Sequence, residues 1–373
     1  MLKSPSMRWV LVCALLVCCG CKKPVPPRVL HIQVAVGPEL RQQPDWRDRI
    51  AGRIRTASEL LRPANLQLEL AGANEWEPDS KLPPELNRWR LGGYHSSGDW
   101  LAIGFVGSEQ PGTEPGLSVP FDPRLLVYDV AGGSEARQAE ALAHEVGHAL
   151  GAWHAHEGGT LMSLSTGEKL DSDALSCFEI TRTMDFRQGA AGLTQDDVAR
   201  LLKVWKASKA EPASNPLYRF YSSMGEEQIR HRSVAEGREN LVKAVHYGPD
   251  VAKAHVELGN ADLATRDYLD AADEFRAAVK LDPHSQPAMG GLAAALIGTG
   301  KRDEAVDTLA KSVSMNPGDP VAHANMGIVL AGTPGRLEDG IAELREALRL
   351  NPNAEAVKRT LDAALDAKSK GRR

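Results

Sequence analysis

Three histidines and one glutamate lie close together in the chain, at spacings that can bind a metal ion. Residues 144–154 read His-Glu-Val-Gly-His-Ala-Leu-Gly-Ala-Trp-His. Residues four apart lie one turn apart on the same face of a helix, so His144 and His148 can share one ion. Glu145 follows the first histidine and can reach a water at the metal without being a ligand. The pattern therefore predicts a zinc site on a helix.

The residues after this helix predict how a third ligand reaches the metal. Gly151 allows the backbone to leave the helix sharply, through a conformation that is costly for other residues. The turn then brings His154 to the ion. His156 is the rival third ligand, but the Gly-x-x-His spacing favours His154. Three neutral imidazoles leave a fourth tetrahedral position for water, which is typical of catalytic rather than structural zinc.

A series of strand and helix patterns must position this helix. Alternating or β-branched apolar runs predict strands, and apolar residues at helical spacing predict helices, the last of which is capped by Ser134. Residues 107–124 are rich in Gly and Pro and predict no regular structure. The order of elements predicts an α+β, α/β-layered domain over residues 28–208. The predicted strands are 29–36, 66–70, 100–106 and 125–128, and the predicted helices are 46–61 and 135–150.

The extended histidine motif resembles that of the metzincin zinc endopeptidases. Met162 follows in the sequence Gly-Thr-Leu-Met, eight residues after His154, and looks most like the methionine turn of the matrixins. Residues 193–205, with Thr194 as N-cap, resemble the last catalytic-domain helix of that family. Only residues 144–162 and 193–205 carry the resemblance with specificity.

The resemblance implies a fold, a cofactor and an activity. His144, His148 and His154 would hold one catalytic Zn²⁺, with Glu145 as catalytic base and Met162 and Gly151 as structural support. The reaction would be hydrolysis of peptide bonds of protein substrates by a water at the zinc, with the peptide beside an edge strand within residues 116–130.

The chain departs from the matrixin pattern after the methionine. No tyrosine follows Met162 at close range, and residues 163–192 form a longer segment than in typical matrixins. That segment contains Cys177, which we interpret as a small buried apolar residue. Asp171 and Asp173 can suggest calcium, but two acidic residues in a loop are usually solvated, so calcium is possible but unsupported.

A repeat of about 34 residues occupies the C-terminal part. A small residue lies twelve positions before each repeat proline, and a bulky apolar residue lies eight before it. This resembles the tetratricopeptide repeat, and predicts an all-α solenoid over residues 209–373 with a capping helix at 354–367. The first unit is clear only in its second helix. Such an array would bind a protein partner. The prolines are Pro249, Pro283, Pro317 and Pro352, the small residues Gly237, Ala271, Ala305 and Gly340, and the bulky residues Leu241, Phe275, Leu309 and Leu344.

The N-terminus predicts export. Residues 1–20 resemble a bacterial lipoprotein signal peptide, with lipidation at Cys21 and a Pro-rich tether over 21–27. We expect a lipid-anchored protein of the bacterial cell envelope, at the outer rather than the inner membrane because Lys22 follows the cysteine; the alternative is secretion. Four of the five cysteines lie in the first 21 residues, so the body has one thiol, Cys177.

Composition limits the partners. The chain has 44 basic and 49 acidic residues and a net charge of -5, which argues against a general nucleic-acid binder. No run outside the signal segment approaches the length of a membrane span, so we expect membrane contact only through the lipid anchor.

Three functions remain open from the sequence. The preferred one is a zinc-dependent endopeptidase with a helical-repeat domain for protein recruitment. The alternative is a cell-envelope lipoprotein scaffold whose repeats bind partners, with a zinc domain that is structural or inactive; the intact Glu145 argues against a dead enzyme. The third is a zinc hydrolase with a non-protein substrate.

Overall fold

The computed structural model describes residues 25–91, 100–107, 116–129, 133–155, 159–163 and 169–371. The predicted signal segment 1–20, the lipidation site Cys21 and the rival ligand His156 lie outside the described residues. Within the described ranges, no helix combines the length and the apolar character that a membrane span needs.

A five-stranded mixed sheet forms the first region of the molecule. The strand order is β2-β1-β3-β5-β4, and all neighbours are parallel except β4 and β5, which are antiparallel. The four strands predicted from sequence are confirmed, with β2 longer than predicted. The strands are Arg28–Val36 (β1), Leu66–Glu75 (β2), Trp100–Val106 (β3), Gly116–Ser118 (β4) and Arg124–Tyr128 (β5).

Strand β4 lies in the stretch for which the sequence predicts no regular structure, so that prediction was wrong for these residues. With only three residues, β4 is too short to display an alternating pattern. It is a strand because Leu117 pairs with Leu126 of β5. Pairing with a distant strand produces no recognisable sequence pattern in so short a segment.

The helices of the first region cover both faces of the sheet. Alternate residues of β1, from Leu30 to Val36, pack with α2 and α4 in the main core, while Ala35 packs with Trp76 and Leu91 on the opposite face. Parallel strands are usually buried on both faces in this way. The helices are Pro38–Arg41 (α1), Trp46–Leu61 (α2), Pro84–Trp89 (α3), Glu135–Ala149 (α4), Ser172–Ile180 (α5) and Gln195–Ser208 (α6).

Helix α4, which carries the first two histidines, is anchored at its N-terminus. The Ser134 side chain accepts a hydrogen bond from the Arg137 backbone N–H at 3.3 Å, which confirms the predicted N-cap. Glu135 binds Arg49 and Arg53 of α2. The hydrogen bond from Arg53 and the further bond from Arg49 outweigh burial and lower the pKa of Glu135. The first turn of α4 is therefore stabilised by its cap, and it is joined to α2 by the ion pairs of Glu135.

The second region is a series of antiparallel helix pairs. The first pair has both of its helices, whereas the sequence predicts only the second clearly. The last helix extends to Gly371, beyond the predicted end at residue 367. The helices are Pro216–Arg230 (α7), Val234–Tyr247 (α8), Ala252–Thr265 (α9), Tyr268–Leu281 (α10), Gln286–Gly298 (α11), Arg302–Met315 (α12), Pro320–Ala331 (α13), Leu337–Leu350 (α14) and Glu355–Gly371 (α15).

Helix α7 differs from the later repeat helices because it packs on the sheet region as well as on its repeat partner α8. Gly225 lies so close to α8 that an added Cβ would meet the Gly237 carbonyl oxygen at 2.9 Å, which is repeat-type packing. Leu217 and Phe220 of the same helix belong to the core of the sheet region. Because these residues pack on the sheet region, the sequence of α7 departs from the repeat pattern. The two regions also share one core across the predicted boundary at residue 208.

Candidate metal centre

The three predicted histidine ligands converge on one point. His148 Nε2 lies 3.0 Å from His144 Nε2 and 3.1 Å from His154 Nε2. The possible ligand atoms of all three lie within 4.8 Å of one another. His144 and His148 come from successive turns of α4, and His154 comes from the segment after the helix. The predicted spacing thus produces the predicted cluster.

Hydrogen bonds to the other ring nitrogens orient two of these imidazoles. His144 Nδ1 lies 2.7 Å from the Leu161 carbonyl oxygen, and His148 Nδ1 lies 2.8 Å from the Ala152 carbonyl oxygen. A carbonyl can only accept, so each Nδ1 carries the proton in the neutral ring. The Nε2 lone pairs are therefore directed into the cluster, as they are where an outer hydrogen bond fixes a metal-ligating histidine.

The environment keeps His148 and His154 neutral. Burial lowers the pKa of His148 well below its ordinary value, and the charges of His144 and Arg219 add to the effect. Burial and His144 lower the pKa of His154 to about 4. A metal competes with protons for imidazole, so a neutral ring at neutral pH is the form that can bind one.

The cluster fits a tetrahedral cation. Two imidazole nitrogens on one tetrahedral zinc ion lie about 3.3 Å apart, since each bond is about 2.0–2.1 Å long. The two Nε2 separations from His148 are close to that value. Neutral Nε2 atoms facing one another repel without a shared cation. Zinc therefore suits this donor set, with His144, His148 and His154 as the residues able to hold it.

Gly151 makes the turn that delivers the third histidine. Its φ is 91°, in the region that favours glycine. A Cβ added there would lie 2.5 Å from the Phe121 ring. Any other residue would thus meet both backbone strain and a steric clash. Phe121 is itself tied to the end of α4, because its N–H donates to the Ala149 carbonyl at 2.9 Å.

Met162 lies beneath the histidine helix. Its side chain is fully buried, and a Cβ added to Gly147 of α4 would lie 2.5 Å from its sulfur. The Ala155 N–H donates to the Met162 carbonyl at 2.8 Å, which links the methionine to the segment that carries His154. The residue therefore has the position of an apolar support for the cluster.

Glu145 is held between the cluster and the sheet edge. It is buried, and Ser118 of β4 donates a hydrogen bond from Oγ to its Oε2 at 2.5 Å. A Cβ added to Gly116 would lie 2.6 Å from Glu145 Cγ and 2.3 Å from the Leu126 carbonyl oxygen. Only glycine lets β4 approach the glutamate this closely.

Sequence reasoning missed two residues of this site. One pocket is lined by the histidine cluster, Glu145, residues 116–118 and Arg219. Ser118 is the last residue of a three-residue strand, which is too short to show an alternating pattern. Arg219 is far away in sequence, on helix α7 of the repeats, between the aromatic residues Tyr218 and Phe220. Neither position carries a local signal, and only folding brings both to the pocket.

The remaining predicted residues lie away from the cluster. Cys177 is fully buried in the core, as expected, and burial raises the pKa of its thiol. Asp171 caps α5, accepting a hydrogen bond from the Ala174 N–H at 2.8 Å. Among the residues that the structure describes, the one His, Cys, Asp or Glu group able to share an ion is the histidine cluster. The structure thus adds no support for calcium at Asp171 and Asp173.

The family comparisons concern the helical region. Residues 223–286 and residues 262–327 each match a family model described as a tetratricopeptide repeat. The C-terminal region therefore contains tetratricopeptide repeats, as the proline period predicts. Such repeats bind protein or peptide partners, so these matches favour the scaffold alternative for this region.

Individual relatives cover parts of the chain. The Small glutamine-rich tetratricopeptide repeat-containing protein 2 of Mycosarcoma maydis is 26% identical over 117 residues, 31% of this chain and 33% of that protein. The chain thus spans about a third of the length of the curated relative it matches.

Solved structures are similar at low identity. MamA 41-end from Desulfovibrio magneticus RS-1 is 22% identical, with a TM-score of 0.36, covering 41% of this chain and 86% of that one. Pseudomonas aeruginosa pilF is 19% identical, with a TM-score of 0.37, covering 41% and 70%.

Proposed function

We propose that this chain is a zinc-dependent endopeptidase of metzincin type, and that its tetratricopeptide region binds protein partners. The observation that carries the proposal is the convergence of three imidazole nitrogens beside a buried glutamate. His148 Nε2 lies 3.0 and 3.1 Å from the other two Nε2 atoms, and Glu145 borders the same pocket. This combination of three histidines with an adjacent carboxylate is typical of zinc hydrolases.

The side chains divide the work of hydrolysis. His144, His148 and His154 would hold the zinc, which when bound polarises a carbonyl and acidifies a water. Ser118 donates a hydrogen bond to Oε2 of Glu145 and so orients the carboxyl group. This carboxyl group would take a proton from the attacking water. The same carboxyl would then deliver that proton to the leaving amine. Because Glu145 is buried, this proton transfer takes place away from bulk solvent.

The position of β4 supports a peptide as the substrate. Strand β4 lies at the edge of the sheet and reaches Glu145 through Ser118. An extended peptide paired to this edge would place its backbone carbonyls beside the histidine cluster. The edge lies within residues 116–130, where the metzincin resemblance predicts the substrate strand.

The second candidate is a scaffold without peptidase activity, anchored in the bacterial envelope through Cys21. The tetratricopeptide matches over residues 223–327 favour it, because protein binding alone accounts for that region. In that case the histidine cluster would bind a structural metal.

Glu145→Gln distinguishes the two candidates. The zinc-loaded wild type is incubated with casein and with a mixed peptide library, with and without a chelator. We expect cleavage that the chelator abolishes and added zinc restores. We expect Glu145→Gln to reduce turnover by at least about 100-fold, the usual contribution of general acid–base catalysis. Its zinc content, measured by mass spectrometry under native conditions, should equal that of the wild type.

Glu179→Gln serves as the matched control, since Glu179 is an exposed glutamate on α5. It should cleave like the wild type. Unchanged turnover in Glu145→Gln would reject the assigned role of the glutamate. A folded, zinc-loaded wild type that cleaves nothing, with or without chelator, would favour the scaffold.

A further inference from the structure

The repeat region contributes a wall to the candidate active site through helix α7. Phe220 packs edge-to-face on Phe121, with ring centroids 6.1 Å apart. Gly189 makes room for this contact, because a Cβ there would lie 2.5 Å from the Phe220 ring. Phe121 in turn packs on Gly151, whose turn leads to His154. A continuous set of contacts thus connects the first repeat helix to the third metal ligand.

A buried ionic network fixes the same helix at Glu227, seven residues after Phe220. Glu227 of α7 binds Arg124 of β5 at 3.2 Å, and Arg124 binds Asp122 at 2.7 Å. Arg88 binds the same Oδ2 atom of Asp122 at 2.8 Å. Burial alone would raise the pKa of the Asp122 carboxyl, but the two guanidinium groups outweigh it and lower that pKa. All four charges are therefore paired, and α7 has a defined position against the sheet.

Arg219, which precedes Phe220 on α7, faces the metal pocket. It lines the pocket together with Glu145 and the three histidines. Its Nη2 is 3.5 Å from the Ser118 carbonyl oxygen at the end of the edge strand. Its charge also reaches His148 and His154, where it lowers both pKa values after the larger effect of burial. A guanidinium is thus placed beside the position proposed for the scissile bond.

We propose that Arg219 is a specificity-determining residue that binds a carboxylate of the substrate near the scissile bond. This inference rests on the proposed peptidase function. A planar guanidinium binds a carboxylate through two parallel hydrogen bonds, and the half-buried position of Arg219 strengthens that pairing relative to water. The carboxylate is that of an Asp or Glu side chain or that of the substrate C-terminus. The repeat region would then have two roles: it would bind protein partners, and through Arg219 it would select substrates in the active site.

The first test measures binding without turnover. Peptides of one sequence are compared by calorimetry on zinc-loaded Glu145→Gln, with Glu or Gln at each position near the bond and with a free or amidated C-terminus. We expect about tenfold tighter binding of the carboxylate form in one arm, the usual factor for a charge-assisted pair. The arm that shows the preference identifies the source of the carboxylate.

Adding Arg219→Gln to this background should abolish the preference, and Arg219→Lys should retain part of it, since lysine keeps the charge but not the planar fork. Arg230→Gln is the matched control, because Arg230 lies on the same helix and is exposed in an ion pair with Glu226. It should leave the preference intact. Equal binding of carboxylate and amide peptides, or a preference that survives Arg219→Gln, would overturn the proposal.

A second measurement separates this proposal from the peptidase proposal. Cleavage of the same matched peptides is measured with the wild-type Glu145. We expect the carboxylate-to-amide ratio of kcat/KM to fall in Arg219→Gln and to stay high in Arg230→Gln. If the wild type cleaves no peptide but the binding preference depends on Arg219, the peptidase proposal fails and the carboxylate site stands. If the wild type cleaves the peptides but neither binding nor cleavage depends on the carboxylate, the peptidase proposal stands and the carboxylate site fails.

Discussion

The buried histidines of the two regions have opposite environments. In the repeats, His255 Nδ1 lies 2.7 Å from Glu274 and its Nε2 lies 3.0 Å from the Pro249 carbonyl oxygen. The Glu274 hydrogen bond raises the pKa of His255. In the candidate metal centre, burial lowers the pKa of His148, and its Nε2 faces two other imidazoles.

This difference shows that the partners of the two ring nitrogens determine which role a buried histidine can have. His323 repeats the arrangement of His255 two units later, with Glu343 at 2.6 Å and the Pro317 carbonyl at 3.0 Å. When both ring nitrogens face acceptors, the charged ring is favoured and acts as a structural link between helices. When one nitrogen is left facing other imidazoles, the neutral ring is favoured and can bind a metal.

The largest expected effect tests this distinction directly. Removing an imidazole from the cluster leaves two ligands, too few for a tight zinc site. We therefore expect His148→Ala to lose stoichiometric zinc in equilibrium dialysis. His323→Ala is the control, since His323 is also buried but lies in the repeats. Zinc retained by His148→Ala, or lost from His323→Ala, would break the comparison between the two histidine environments.

A smaller effect is expected where the two regions meet. Phe220 is nearly fully buried at the joint, and replacing such a residue with alanine lowers the free energy of unfolding by about 3–5 kcal/mol. All seven tryptophans precede residue 209, so their fluorescence reports the sheet region, while the helical signal at 222 nm includes the repeats.

In urea, the two signals should change together in the wild type and separate in Phe220→Ala, because that variant weakens the shared core. Phe275→Ala, within the repeats, is the control for loss of a ring away from the joint. Signals that already separate in the wild type would show that the regions unfold independently.

The smallest effect concerns pH. Burial opposes protonation of His323, but the Glu343 hydrogen bond outweighs it and raises the pKa. A histidine whose folded pKa is raised stabilises the fold fully below its unfolded pKa of about 6.5 and loses that contribution as pH rises through the folded pKa. Its neighbours are Glu343, Glu346 and the Pro317 carbonyl. His323→Gln should therefore lower the free energy of unfolding by up to about 1 kcal/mol at pH 6, and by less at pH 8.5.

The control for this measurement is His284→Gln, at an exposed position of the same repeats. A substitution at an exposed position should change the free energy of unfolding by less than about 0.5 kcal/mol. An effect of His323→Gln that grows toward pH 8.5 would contradict the raised pKa and remove the contrast with the metal centre.

Local patterns were sufficient to predict much of the fold. The helix of the first two ligands was predicted within one residue of its observed end, because its cap, periodicity and ligand spacing all lie in one continuous segment. The repeat period was readable because the same packing rule recurs every 34 residues. Local patterns did not predict strand β4 or helix α7, because the residues of these elements pack on partners that are distant in sequence.

The sequence by itself determined the chemistry that the chain can offer. The spacing of His144, His148 and His154 and the glycine at 151 follow from helix geometry and backbone conformation, which are local properties. Only the tertiary structure decided what surrounds that chemistry. Ser118 reaches Glu145 because β4 pairs with β5, and Arg219 reaches the pocket because Phe220 packs on Phe121. Contacts between distant segments depend on close packing of whole surfaces, and that information is not contained in any short stretch of residues.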